Sequence, residues 1–430
     1  MPPNSKNSAA ILKIKARQVL DSRGNPTVEA EVWTRSFMGR ASVPSGASTG
    51  SHEALELRDG NPGMFLGRGV LKAVSNVENV LGPALRSVAV TDQRRIDRTM
   101  VRLDGTPGKS RLGANAILAV SMAAAKAAAQ ERKLPLFSSL KERKRYRLPV
   151  PMMNVINGGE HAGNDLAIQE FHIEPVGADR CSDAIRVGAE VYQTLKGVLK
   201  SEHGQSAINV GDEGGFAPPL DQTRDALAAV SKAISKAGYS QSDVRLGVDA
   251  AASTFFDAKK QCYSIDGKTM GSEELQDYYA GLATEYDLLT IEDPFEEGSM
   301  EAFTGITKRL GRKVKIIGDD VYVTSLSRIR EGVAARATNA VLIKLNQVGT
   351  VTETVEAIDT TRRAGWMVTV SHRSGETEDP FIAHLATAYE SEFIKTGAPA
   401  RGERTAKYNE LLRIEEELGS SAGYAGRSFV

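Results

Sequence analysis

The stretch WMVTVSHRSGETEDP, residues 366–380, begins as an apolar strand and ends with His372, Arg373, Ser374, Glu376, Glu378 and Asp379 crowded together. A turn needs only Ser374-Gly375 for its backbone angles. A charged surface loop is the plain reading of one such segment. The question is whether other strands end in the same way.

After residue 150 short apolar strands alternate with amphipathic helical patterns. The strands are PMMNVI (151–156), IQEFHIEP (168–175), VRLGVD (244–249), LLTIED (288–293), VKIIGDD (314–320), AVLIKL (340–345), WMVTVS (366–371) and EFIKTG (392–397). Two helices, about 180–203 and 221–237, precede the third strand, and others such as VTETVEAIDTTRRAG lie between later ones. Eight strands interleaved with helices predict an α/β fold, a closed (β/α)8-type barrel with its active site at the C-terminal strand ends.

Reading those ends alone gives Glu170, Asp249, Glu292, Asp319, Lys344, His372 and Lys395. From Asp249 onward they recur at intervals of 43, 27, 25, 28 and 23 residues, about one βα unit each, with a hairpin-like insert (FFDAKKQCYSIDGK) in the longest. Polar groups that recur once per unit converge on one mouth. Asp249, Glu292 and Asp319 offer hard oxygen ligands from three strands, which suits Mg²⁺; zinc would want His or Cys. Two lysines beside a divalent ion are expected to have lowered pKa values, so that one can act as a base. A lysine base beside a metal-bound carboxylate implies proton removal α to that carboxylate. Three glycine-rich loops, PSGASTG (44–50), NGGEHAGN (157–164) and GDEGGFAP (211–218), carry Ser48, His161 and Glu213 and read as lids.

The first part of the chain has a different rhythm. ILKIKARQVL and TVEAEVWTR predict two antiparallel strands, and helical stretches follow at about 65–85, 92–103 and 113–131. This is a small α+β domain over 1–142, joined by the basic, proline-broken KERKRYRLPVP to a catalytic barrel over 148–430. Its Ala-rich segment AILAVSMAAAKAAAQ reads as a buried helix interrupted by Lys126.

Lys plus Arg equals Asp plus Glu at 54 each in the 430 residues, so no global field attracts nucleic acid or an acidic membrane. Cys181 and Cys262 are far apart and fit no metal spacing, which predicts a reducing, cytoplasmic setting. No apolar run reaches the length of a membrane span or a signal peptide.

DSRGNPTVE, VPSGASTG, LDGTPGKSRLGANAIL, LPVPMMNVINGGEHAGN, IQEF, NVGDEGGFAP, IEDPF, GDD, LIKLNQVGT, VSHRSGETED and IKTGAPARGER with AKYNELLRIEEEL resemble the motifs of the enolase family, in that family's order, from about residue 15 to 418. The resemblance implies a barrel of order ββαα(βα)6 behind a small α+β domain, and dehydration of 2-phospho-D-glycerate to phosphoenolpyruvate. It implies Lys344 as the C2 base, Glu213 as the acid at the C3 hydroxyl, Glu170 in support of that acid, and Lys395 as the enolate stabiliser. Asp249, Glu292 and Asp319 are implied ligands of a first Mg²⁺, and Ser48 belongs to the loop that closes with a second. The resemblance further implies that His161 contacts the substrate and that Arg373 with Ser374 grips its phosphate beside His372. A homodimer, or an oligomer of dimers, is the implied assembly.

The chain departs from the family's pattern at His172 after QEF, where Met is frequent, at Thr254 in DAAAST, where Glu is usual, and at Ser325 in VTS, where VTN is common. DGTPGKS is no P-loop, since Leu103 stands where the first glycine belongs. His52, His172, His203 and His384 read as surface or packing residues. Two alternatives stand beside this reading: a sister acid-sugar dehydratase or racemase without the phosphate clamp, and an enolase-like binder without turnover.

Overall fold

A computed structural model of the chain describes residues 9–46, 50 and 52–429. The N-terminal part contains an antiparallel sheet of three strands, not two: β1 (Lys13–Leu20), β2 (Pro26–Trp33) and β3 (Met38–Ser42). The third strand, MGRAS, is short and holds a glycine, so alternation does not reveal it. Two helices follow, α1 (Gln93–Asp104) and α2 (Ala114–Arg132). The helix expected near 65–85 is broken into a turn at Phe65–Gly67, a helix at Leu71–Asn76, a π-type turn at Val77–Leu81 and a last turn at Gly82–Leu85. Pro83 removes an N–H donor there, and the turn before it widens.

Every residue of α2 from Ala114 to Ala129 is buried except Lys126. Small side chains let the helix lie close on β2 and β3. At Gly39 a Cβ would stand 2.1 Å from the Ala123 carbonyl oxygen and 2.4 Å from the Ala127 nitrogen, so only glycine fits this approach.

Eight strands close the barrel: β4 (Val150–Asn157), β5 (Glu170–Glu174), β6 (Arg245–Asp249), β7 (Leu288–Glu292), β8 (Lys315–Gly318), β9 (Ala340–Ile343), β10 (Met367–Ser371) and β11 (Phe393–Lys395). Helices α3 (Cys181–His203) and α4 (Thr223–Lys236) come between β5 and β6. Later helices include α5 (Val351–Arg363) and α6 (Gly402–Leu418). Strands such as β9, with AVLI fully buried, are apolar on both faces because helices cover the outside. The insert after β6 is a small antiparallel sheet of Phe256–Asp257, Cys262–Ile265 and Lys268–Met270.

The expectation for β5 needs correction. It runs antiparallel to both β4 and β6, pairing Glu170 with Asn157 and with Asp249. Glu170 therefore begins its strand, and reaches the mouth because the strand is reversed. The expected linker is also partly structured: Tyr146–Leu148 pairs in parallel with Ala422–Tyr424, and Val150 already belongs to the barrel.

Candidate active site

The strand ends surround a polar cavity of about 360 Å³, lined by Glu170, Glu213, Asp249, Asp319, Lys344, His372, Arg373, Ser374 and Lys395 among others. Lys395 is its electrostatic centre. Its Nζ donates to Asp249 Oδ2 at 2.7 Å and to both Glu292 oxygens at 3.0 Å, and lies 3.3 Å from Glu170 Oε1. Glu292 does not line the cavity itself and sits against the Lys395 ammonium. Burial, then the neighbouring Asp249, pushes the Glu292 carboxyl well above the usual carboxylate range.

A second group forms one strand further on. Lys344 hydrogen-bonds Asp319 Oδ2, and Gln347 Nε2 donates to Asp319 Oδ1 at 3.0 Å. Thr324 holds that glutamine, donating to its Oε1 at 2.6 Å, and also accepts from the Lys344 amide. Asp293 clamps the end of β8 by accepting the amides of Asp319 and Asp320 at 2.9 and 2.8 Å. Asp293, Asp319 and Asp320 each present an oxygen within 4.8 Å of the others. Burial and Asp319 push Asp320 up to about 7.

The lysines depart from expectation. Burial alone would lower the Lys344 ammonium, but the facing Asp319 carboxylate outweighs it and holds the pKa above the ordinary lysine value. Lys395 is raised further, since Asp249, Glu170 and Glu292 together overcome its burial. The expected lowering came from like-charge repulsion, whereas here each ammonium faces carboxylates.

Glu213 is buried, and its Oε2 accepts from Asn154 Nδ2 at 3.1 Å on β4. His372 Nε2 lies 3.4 Å from the same oxygen. Arg404, which can only donate, reaches His372 Nδ1 at 2.6 Å. The imidazole proton therefore sits on Nε2, on the side of Glu213 but outside good hydrogen-bond geometry. Burial, then Arg404 against Glu213, pulls the His372 pKa down to about 3, so the ring is neutral. Arg404 also donates to the carbonyls of Arg373 and Ser374, both at 2.6 Å, and so braces the whole turn from inside.

Arg373 Nη1 donates to Glu53 at 2.8 Å and to Asn346 Oδ1 at 2.9 Å. Ser374 is buried beside it. The two chain segments are stitched at the mouth: Ser45 and Gly375 exchange backbone hydrogen bonds at 2.7 and 2.8 Å. Ser48 lies outside the described residues, as does the His161 side chain, whose backbone belongs to a short turn at Gly159–His161. The loop at 211–218 is no free lid, since Phe216 is buried, stacks on Tyr192 and bonds to Val155 and Asn157 through its backbone.

Several residues escaped the sequence reading. Asp293 and Asp320 were visible as the second acid of IED and GDD, but nothing local marks them as clamp or partner. Glu53 and Arg404 come from segments distant in sequence, and Gln347 stands three residues after Lys344 with nothing local to mark its bond to Asp319. His172, read as packing, bonds instead to Glu170 at 2.9 Å. Of the other histidines set aside, His52 is exposed, while half-buried His384 lies 3.0 Å from Glu410.

A closed barrel with buried lysines and acids gathered at one small mouth defines a barrel enzyme of acid–base chemistry on a small charged substrate. Residues 145–430 match the family model described as the enolase C-terminal TIM barrel domain, and residues 11–140 the enolase N-terminal domain. The chain belongs to the enolase family. It is 54% identical over 420 residues to the enolase of Methanothrix thermoacetophila, covering 98% of this chain and 99% of that one. It is 56% identical to the enolase of Methanocaldococcus jannaschii, over 97% and 98% of the two chains, and 54% identical to that of Thermococcus kodakarensis, over 98% of both.

Proposed function

We propose that the barrel mouth dehydrates 2-phospho-D-glycerate to phosphoenolpyruvate, the enolase reaction of glycolysis, and runs it in reverse in gluconeogenesis. One observation carries the assignment of roles: Lys344, following β9, and Glu213, held over β4 by Asn154, line one small polar cavity from separate walls. The amine form of Lys344, which the facing Asp319 carboxylate disfavours, takes the C2 proton, and the electron pair passes into the substrate carboxylate as an enolate. As the enolate collapses to the C2=C3 bond, the C3–O bond breaks and Glu213 protonates the departing hydroxyl, which leaves as water. His372 stands with its Nε2–H on the side of Glu213, and Glu170 supports that acid. Lys395 stabilises the enolate. Arg373 and Ser374 hold the phosphate, and His161 contacts the substrate from its loop.

Asp249, Glu292 and Asp319 would hold one Mg²⁺, and the loop of Ser48 a second. All three are hard oxygen ligands, which suits that ion; the Lys395 ammonium bridges Asp249 and Glu292, and Asp319 lies with Asp293 and Asp320, the carboxylates whose oxygens come within 4.8 Å of one another among the described residues. When bound, the metal supplies positive charge where the second negative charge of the enolate develops.

The boundary between a capping domain at 1–142 and a barrel at 148–430 is supported by the two family matches. Among the described residues no helix is long and apolar enough to cross a membrane. A cytoplasmic homodimer completes the reading, supported by the free thiols Cys181 and Cys262 and by the family resemblance.

The test is phosphoenolpyruvate formation from 2-phospho-D-glycerate with Mg²⁺, its loss with a chelator and its return when Mg²⁺ is restored. Solution mass, measured in parallel, checks the dimer. Absence of turnover at any Mg²⁺ concentration would remove the assignment.

A further inference from the structure

Residues two apart on a strand share a face, and on β5 this puts Glu170, His172 and Glu174 in one column descending from the mouth into the barrel. Glu174 bonds Thr290 on β7, a strand that does not neighbour β5, so the column faces the barrel interior. His172 is wholly buried in the middle of it, with Nε2 2.9 Å from Glu170 Oε2. Its Nδ1 has no hydrogen-bond partner among the described residues.

Neutral imidazole has one N–H and one bare lone pair, and a buried unpaired N–H is the rarer and costlier orphan. The proton therefore belongs on Nε2, where a carboxylate accepts it, and the lone pair on Nδ1. Burial, then Lys395, draws the pKa of the ring down to about 3, so it donates without adding charge. The other Glu170 oxygen, Oε1, faces Lys395 at 3.3 Å. A carboxylate held at both oxygens has one orientation.

We propose that His172 is a positioning residue for the reaction: by its Nε2–H it fixes the Glu170 carboxylate for the step in which the C3–O bond breaks, and takes no part in proton removal at C2. His172 keeps its proton throughout. The inference rests on the assignment of Glu170 to the leaving-group side.

The experiment compares His172→Met, which removes the donor and keeps a long side chain, with His172→Gln, which keeps an N–H. Steady-state dehydration is read beside exchange of the C2 hydrogen with solvent. His172→Met is expected to lower kcat for dehydration about tenfold, the effect of losing a hydrogen bond to a charged group, with KM and C2 exchange little changed. His172→Gln is expected to restore most of the loss. Unchanged kcat in His172→Met, a parallel fall in exchange, or no recovery with Gln overturns the proposal. Glu170→Gln is the control: dehydration surviving in that variant defeats the Glu170 assignment itself, whereas its loss beside an intact His172→Met defeats only the inference. Should His172→Met fail to fold, the imidazole ¹⁵N spectrum of the unaltered enzyme decides. An Nε2–H tautomer supports the role and an Nδ1–H tautomer overturns it.

Discussion

Lys344 and Glu213 divide the proposed reaction, and their variants divide it in the same way. Lys344→Ala is expected to lose exchange of the C2 hydrogen with solvent, and Glu213→Gln to keep exchange while dehydration falls by about 10²–10⁴, the usual weight of a positioned acid or base. Equal loss of exchange in both variants would refute the division. Glu174 makes a separate prediction about stability. Burial pushes its carboxyl up to about 7 against the Thr290 hydrogen bond and the charge of Arg245. Between the ordinary glutamate pKa and about 7 the folded chain keeps a proton that the unfolded chain releases, so this group makes stability fall as pH rises through that window. Glu174→Gln removes the dependence. Denaturant unfolding from pH 4.5 to 7 is expected to favour the variant progressively, by up to about 3 kcal/mol at about 1.4 kcal/mol per unit. A difference that is flat with pH would show that Glu174 ionises freely.

Among the elements, β3 and α2 meet where a glycine lets a strand touch a helix backbone. Gly39→Ala places a methyl group against Ala123 O and Ala127 N, neither of which can rotate away. It is expected to cost about 1–3 kcal/mol, the range for overpacking, in urea unfolding followed by circular dichroism, whereas Gly24→Ala meets no neighbouring atom and tests positive φ alone. A clamp of another kind sits at the end of β8. Asp293→Asn replaces one of the two accepting oxygens with a group that donates, which releases the amide of Asp319 or of Asp320 and loosens the clamp. The expected result is Mg²⁺ dependence weakened about 10–100-fold, as for other supports of metal ligands, read by titrating the metal against activity. An unaltered Mg²⁺ dependence would mean that β8 holds its end without Asp293.

Across the whole molecule, the two parts of the chain are joined around the stretch at 371–380. Asp379 accepts from Lys126 at 2.7 Å, from the Ser42 amide at 3.1 Å and from the Phe381 amide at 3.0 Å. Its carboxylate thus ties α2, β3 and the barrel together. Asp379→Ala leaves a largely buried ammonium and two amides without it, and is expected to cost about 2–4 kcal/mol. Differential scanning calorimetry reads the loss, and a KM that rises with it would link the joint to the mouth. Unchanged melting would assign the docking to other contacts, such as Arg373 with Glu53 or Asp97 with Thr352.

Much of this could be read before the fold was seen. Eight apolar runs of strand length, six of them ending in an acid, lysine or histidine (Asp249, Glu292, Asp319, Lys344, His372 and Lys395), determined the barrel and the mouth, because strand period and βα spacing are local and repeat along the chain. Motif order determined the family. The three-stranded first sheet, the reversed direction of β5 and the broken helix before residue 85 were decided by tertiary structure, since a short glycine-bearing strand carries no periodic signal and a strand reads alike in both directions. The same holds for the finer site: the column Glu170–His172–Glu174, the Asp293 clamp, Arg404 behind His372 and the charge that raises both lysines. Hydrogen bonds and pKa values depend on which side chains lie within a few ångströms, and that is set by chain closure between residues tens to hundreds of positions apart.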